Sequence, residues 1–328
     1  MHRPGASSLE DVKGLRAYLD DRLAGRPMGQ GRAARLLLDA LGLGLEQTVT
    51  FIGRERPDHD RFVDWILSTA GPPDPLRVMR FNAWLDRAPP PAPVRAWLDG
   101  IAAMDPVLTD RDLEHWRAEG YVILSRAISG PEAAAVEALI WQEAGADPAR
   151  PDSWYGPRTN GIMLQRFQHP AMEAARRSPR VHKAFAQLWG TADLWSTTDR
   201  LSFNPPLTPH LHYREPGLHW DVSLARPIPF ATQGILYLTD TPADQGAFRL
   251  VPGFHHRIDR WLDDLDGADP RRINLDDQAR CIAARAGDLI IWRNDLPHGA
   301  SPNTGLRPRM AQYVNMYSPE LETNPVWL

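Results

Sequence analysis

The sequence holds one cysteine, Cys281, among 328 residues. No intrachain disulfide can form, and no thiolate cluster for zinc or an iron–sulfur centre is available. The segment Arg280-Cys281-Ile282-Ala283 reads as a strand, which predicts a buried structural thiol. Lysine is nearly missing too: of 37 basic residues only Lys13 and Lys183 are lysines. The formal net charge of -4 gives no electrostatic footprint for nucleic acid or for an anionic membrane. No apolar run approaches the roughly 20 residues of a membrane span, and Met1 to Asp11 lacks the apolar core of a secretory signal. The expectation is a cytoplasmic chain whose partner is a small molecule.

Hydrophobic residues make up 43% of the chain, enough for one large core or two smaller ones. Ser8-Leu9-Glu10-Asp11 resembles a capping box, and Leu15, Leu19 and Leu23 follow at helical spacing. Ala33 to Leu41 predicts a second helix ended by Gly42-Leu43-Gly44. Phe62 to Leu67 and Leu76 to Leu85 predict two more, and the proline run from Ala88 to Pro93 is a stiff break. Residues 1–105 therefore read as a helical N-terminal extension without a decodable motif.

From about residue 106 the pattern changes. Thr109 to Asp112 caps a helix ending at Glu119-Gly120, Tyr121 to Leu124 is a strand, and Ser129 to Ala144 a longer helix. Strands then dominate: Leu194 to Thr197, Leu201 to Asn204, Leu218 to Val222, Thr232 to Thr239, Ala247 to Val251, Asp288 to Trp292 and Arg309 to Tyr317. Many short strands separated by turn residues predict a barrel or jelly roll over residues 106–328.

His219-Trp220-Asp221 lies on one of these strands. Residues i and i+2 of a strand share a side, so His219 and Asp221 can reach one metal. With a second histidine they fit one face of an octahedral Fe(II) ion. Alone the motif is weak, and a solvent-facing pair on an edge strand is the plain alternative. His298 follows the strand Asp288 to Trp292, and Arg309 opens the last long strand. Between them stand Gly246-Ala247-Phe248-Arg249-Leu250-Val251-Pro252-Gly253-Phe254-His255 and Ala286-Gly287-Asp288.

In this order and spacing the chain resembles the phytanoyl-CoA dioxygenase and ectoine hydroxylase family of Fe(II)/2-oxoglutarate oxygenases, over roughly residues 106–318. The resemblance implies an α+β protein with a double-stranded β-helix (jelly roll, cupin-like) core and flanking helices. It implies Fe(II) held by His219, Asp221 and His298, with 2-oxoglutarate and O2 as co-substrates. Arg309 would bind the far carboxylate of the keto acid, and Arg307 is its rival two residues earlier. The implied reaction is hydroxylation of an unactivated C–H bond with release of succinate and CO2. A retained Asp221 speaks against halogenation and leaves desaturation or cyclisation open.

Other candidates follow from strand parity and from loops. Gln233 shares parity with Ile235 and Tyr237; it contacts the co-substrate by resemblance, or fills an ordinary strand position. Ser202 is placed with the co-substrate, and Asn204 with the substrate. Trp220 either touches substrate or packs beside the metal strand. Arg158, His210, His212 and Tyr213 sit in two loops that suit a polar or anionic metabolite, such as an amino acid or an intermediate of secondary metabolism. Two other classes stay open: a catalytically silent jelly-roll binding protein, and a cupin-like metallohydrolase or isomerase in which Arg309 is dispensable. The N-terminal helices could cover the barrel, form a lid or support a homodimer.

Overall fold

The computed structural model describes residues 9–26, 31–156, 161–208, 217–324 and 326–328. Six helices come first: α1 (Leu15–Leu23), α2 (Arg32–Ala40), α3 (Leu45–Glu55), α4 (His59–Ala70), α5 (Pro75–Leu85) and α6 (Ala92–Ala103). Their starts follow local chemistry. Asp58 accepts from Arg61 N at α4, and Asp74 accepts from Leu76 N at α5, where Pro75 fills a position that needs no N–H donor. The expected capping box does not start α1. Leu9–Asp11 is a separate 3-10 turn, α1 begins after Gly14, and Ser8 lies outside the described residues.

Two of these six helices were not foreseen. Only Thr48 and Ile52 of α3 are buried, so its apolar stripe is thin. α6 grows out of the proline run, because Pro93 occupies the first turn, where its missing N–H costs nothing. The buried side chains of this region, Leu36, Phe62, Ile66 and Phe81 among them, form one cluster with Trp195 and Tyr317 from the later strands. The N-terminal helices therefore share a core with the rest of the chain.

Next come α7 (Asp110–Glu119), with Thr109 and Asp112 in a capping box, and α8 (Gly130–Glu143), with Ser129 and Glu132 in another. α9 (Glu173–Arg176), α10 (Pro179–Trp189) and α11 (Ile258–Asp263) complete the α-helices. The strands are β1 (Tyr121–Leu124), β2 (Met163–Leu164), β3 (Trp195–Ser196), β4 (Leu201–Asn204), β5 (Thr232–Tyr237), β6 (Phe248–Leu250), β7 (Arg280–Cys281), β8 (Leu289–Arg293), β9 (His298–Ala300), β10 (Arg309–Tyr313) and β11 (Met316–Tyr317). They build a six-stranded sheet in the order β1-β8-β5-β10-β4-β2, a three-stranded sheet β7-β6-β9 and the pair β11-β3. Every strand pairing is antiparallel.

Both faces of the large sheet are covered. Residues alternate between faces along a strand. Ile235, Tyr237, Ile290 and Ala311 cluster with Phe248 and Leu250 of the small sheet. Leu236, Leu289, Ile291 and Met310 face the other way, with residues of α7, α8 and α10. Double-sided burial explains why β8 reads as an unbroken apolar run.

Three expectations change. Leu218 to Val222 is not a strand; it makes one isolated bridge, His219↔His298. The last long strand breaks into β10 and β11, and at the break Val314 N donates to Gly234 O at 3.0 Å. Cys281 is on a strand but only half-buried. Among the described residues no single helix is long and apolar enough to cross a membrane.

Candidate metal centre

His219 and His298 are joined through their backbones. His219 N donates to His298 O at 2.9 Å, and His298 N donates to His219 O at 3.0 Å. β9 also pairs with β6, which sets Leu250 opposite His298. The two imidazoles are oriented alike. The Nδ1 of His219 lies 3.0 Å from Gly217 O, and that of His298 lies 3.0 Å from Leu296 O. A carbonyl only accepts, so each ring carries its proton on Nδ1 and leaves the Nε2 lone pair free.

Those lone pairs converge on Asp221. His219 Nε2 lies 3.6 Å from Asp221 Oδ1, and His298 Nε2 lies 3.3 Å from Asp221 Oδ2. One ligand atom from each of the three residues falls within 4.8 Å of the others. Two imidazole nitrogens and a carboxylate held this close form an arrangement that a cation satisfies, and carbonyl-held histidines are the usual support of metal ligands. The protonation states agree. Burial, and then the neighbouring His298, lower the His219 pKa, which favours the neutral ligand form. Burial works against ionised Asp221, but in the metal-free site His298, when its Nε2 carries the proton that a metal would displace, and the amide of Gln233 outweigh it and hold the carboxyl well below the usual range. Gln233, on β5, donates from Nε2 to Asp221 Oδ2 at 2.6 Å.

Arg309 opens β10 opposite Asn204. It is 1% exposed. Its Nε donates to Gly246 O at 3.0 Å and its Nη1 to Ser202 Oγ at 2.7 Å. No carboxylate pairs with it among the described residues. A buried guanidinium is costly without an anion, so the site fits a carboxylate ligand. Arg307 is exposed, which removes it as the rival. Gly246 is required beside this arginine: its φ is +63°, and a Cβ there would stand 2.4 Å from Asn204 Nδ2.

The triad, Gln233 and Arg309 open into one cavity of about 1020 Å³. Its inner wall includes Ile235, Phe248, Trp292 and Tyr313. Its outer wall comes from elsewhere in the chain: Tyr18 and Arg35 on the N-terminal helices, and Tyr317 and Trp327 near the C-terminus. Arg200 also lines it, ion-paired to Glu46 and Asp199. Tyr313 was missed, although it shares strand parity with Arg309 and Ala311. The contribution of the N-terminal helices left no signal in the sequence.

Two expected substrate contacts need correction. Trp220 is buried away from the cavity, donates from Nε1 to Asp295 O at 3.1 Å and packs on Phe254 and Trp261. Lying between two residues that share a face, it takes the opposite one. Asn204 is also buried and off the cavity wall, with its side-chain amide toward Ser301 O. Ser202 reaches the expected co-substrate region through Arg309. Arg158, His210, His212 and Tyr213 lie outside the described residues.

Comparison with known proteins adds a second line. The sequence model of the family described as phytanoyl-CoA dioxygenase (PhyH) matches residues 98–311. A Dictyostelium discoideum protein named for phytanoyl-CoA dioxygenase is 27% identical over 95 residues, 26% of this chain and 26% of its own. The dioxygenase cdmD of Talaromyces verruculosus is 26% identical over 143 residues, 42% of this chain and 44% of its own. The chain thus spans less than half the length of these curated relatives. Among solved structures, the epimerase SnoN from nogalamycin biosynthesis is similar at 20% identity and TM-score 0.48, covering 64% of this chain and 82% of that one. EctD from S. alaskensis is similar at 18% identity and TM-score 0.46, covering 66% and 82%. Since the family match runs through His219, Asp221 and His298 and reaches two residues past Arg309, this chain belongs to the phytanoyl-CoA dioxygenase family.

Proposed function

We propose that this chain is an Fe(II)- and 2-oxoglutarate-dependent oxygenase that hydroxylates a C–H bond of a small polar metabolite, an amino acid or a natural-product intermediate. One observation carries the reading: a single cavity presents both a cluster of three metal ligands and a buried arginine with no carboxylate partner among the described residues. A metal and an organic acid satisfy these two demands together. His219, Asp221 and His298 hold the iron, and Arg309, steadied by Ser202 and Gly246, takes the far carboxylate of the keto acid. Gln233 keeps Asp221 turned toward its fellow ligands. When bound, iron, 2-oxoglutarate and O2 together supply a two-electron oxidation of the substrate, with succinate and CO2 as co-products. The chain's own part is to position the reactants and keep water out.

The same reading makes the six-stranded and three-stranded sheets the two faces of a double-stranded β-helix, with the metal at the bridge between His219 and His298. It sets the boundary of the catalytic domain near residue 106, with residues between Tyr18 and Glu46 of the N-terminal extension adding to the outer wall of the substrate cavity. A cavity of about 1020 Å³ exceeds the needs of the keto acid and leaves room for a drug-sized substrate.

Anaerobic addition of Fe(II) and then 2-oxoglutarate tests this. A visible charge-transfer band, followed by succinate release on admitting O2, is the expected result. Metal binding with no affinity for the keto acid would favour a metallohydrolase or isomerase. Binding of neither would leave a silent binding protein.

A further inference from the structure

Away from the metal, a second pocket of about 200 Å³ lies where α5 and α6 meet α10 and β3. Four arginines line it, Arg77, Arg80, Arg176 and Arg177, against one carboxylate, Asp74. Three of these have carboxylate partners. Arg80 pairs with Asp193, Arg176 with Glu173 at 3.0 Å, and Arg177 with Glu173 at 2.9 Å and Asp74 at 3.6 Å. Arg77 differs. It is half-buried, its recorded bond is a long 3.5 Å contact to Asp39 O, and no carboxylate pairs with it among the described residues. Its charge bears on four neighbours: behind burial, and as the smallest of several effects, it lowers the pKa of Arg80 and Arg176, and it also favours the ionised forms of Glu173 and Asp39.

Four guanidinium groups face three carboxylates here, Asp74, Glu173 and Asp193, so one positive charge is left without an ion pair in a half-buried place that favours an added anion. Two polar atoms of lining residues are buried behind the wall without a partner. The Nε of Arg176, a residue 5% exposed, has no hydrogen-bond partner among the described residues, and neither does Ser196 Oγ. The eleven-residue helix α10 begins at this pocket, behind Ser178 and Pro179, and adds the positive end of its dipole. The rest of the wall is largely apolar apart from His182, with the indole of Trp97, itself 43% exposed, beside Val94 and Leu76.

We propose that this pocket is a binding site for a small organic anion, a carboxylate or phosphate ester with an apolar or aromatic body. It is separate from the keto-acid site and does not rest on the oxygenase reading. Asp74 to Trp97 precede the stretch that matches the family, so one side of the pocket belongs to the N-terminal helices. An occupant would brace those helices against α10 and raise the stability of the whole chain by mass action.

The test uses the full chain without metal at constant ionic strength. Phenyl phosphate and phenylacetate serve as aromatic anions, inorganic phosphate as an anion without a body, and benzyl alcohol as a body without charge. Thermal melting and titration calorimetry should show a rise in Tm with at least one aromatic anion, a weaker effect of phosphate and none of benzyl alcohol. The stronger aromatic probe identifies the head group. Arg77→Ala should weaken binding about tenfold or more and leave 2-oxoglutarate binding to the Mn(II)-loaded protein unchanged. Should Arg77→Ala fold poorly, Trp97→Ala decides, by weakening the aromatic anions and sparing phosphate. Failure of both aromatic anions to bind, or binding indifferent to both substitutions, would overturn the proposal.

Discussion

The side-chain amide of Gln233 donates to Asp221 Oδ2 at 2.6 Å, so the one carboxylate of the metal triad is aimed by a residue from β5. The other amide atom, Gln233 Oε1, is buried without a partner among the described residues. Removing a support of this kind costs about 10–100-fold in metal affinity. Gln233→Leu should therefore weaken Co(II) binding by about tenfold or more, measured by chelator competition, while Tm without metal changes little. Unchanged affinity would mean that the backbone bridge alone positions Asp221.

Arg309 has two bonds to the protein and, on the proposed function, two to the keto acid. Arg309→Ala should cost about 2–5 kcal/mol of co-substrate binding, the usual loss for one partner of a buried charge pair. Ser202→Ala removes a single neutral acceptor, worth about 1 kcal/mol. It should raise the KM for 2-oxoglutarate several-fold at constant kcat. Equal KM values for wild type and both variants, read from succinate formation, would remove Arg309 from the co-substrate site.

Gly246 links these residues, since its carbonyl accepts from Arg309 and its Cα faces the amide of Asn204. Gly246→Ala needs a left-handed backbone and a displaced Asn204 side chain. A loss of about 1–3 kcal/mol in urea unfolding, together with weaker 2-oxoglutarate binding, is the expected pair of effects. Full stability with normal binding would contradict the crowding described above.

The residues that made the site legible are those whose placement follows from strand parity and sequence order. Period two put His219 and Asp221 on one side; Trp220 between them, a candidate substrate contact, packs instead on Phe254 and Trp261. β4 was readable to its ends because Leu201 to Asn204 alternates within turn residues. The segment around His219 looked like a strand from its composition, yet it forms one bridge, because pairing depends on a partner that composition does not name. The N-terminal helices show the same limit. Periodicity tells which face of a helix is buried, not what it is buried against, so nothing in their pattern announced a cavity shared with residues 219–313.

Asp39 ties α2 to the strands: Tyr317 Oη donates to its Oδ2 at 2.5 Å and Thr198 N to its Oδ1 at 3.3 Å. Burial pushes its pKa up from 3.8 to about 6, against the opposing pull of Tyr317 and Arg35. A raised folded pKa means that folding favours the protonated acid. The stability it contributes is full below the unfolded value near 3.8 and is lost as pH rises through about 6. Asp39→Asn never ionises; its Oδ1 still accepts from Thr198 N, and its Nδ2 donates to Tyr317 Oη where the carboxylate accepted from it. Urea midpoints of the variant, relative to wild type, should therefore improve as pH rises from about 4 to about 7. A constant difference across that range would refute the assignment.

The paired backbones of His219 and His298 have one further consequence. A metal that had to gather ligands from positions 219 and 298 of a loose chain would spend much of its binding energy on closing that loop. Here two main-chain hydrogen bonds close it during folding. The apoprotein is thus already shaped for its ion, and exchange of one metal for another becomes a local event at three side chains rather than a refolding of the chain.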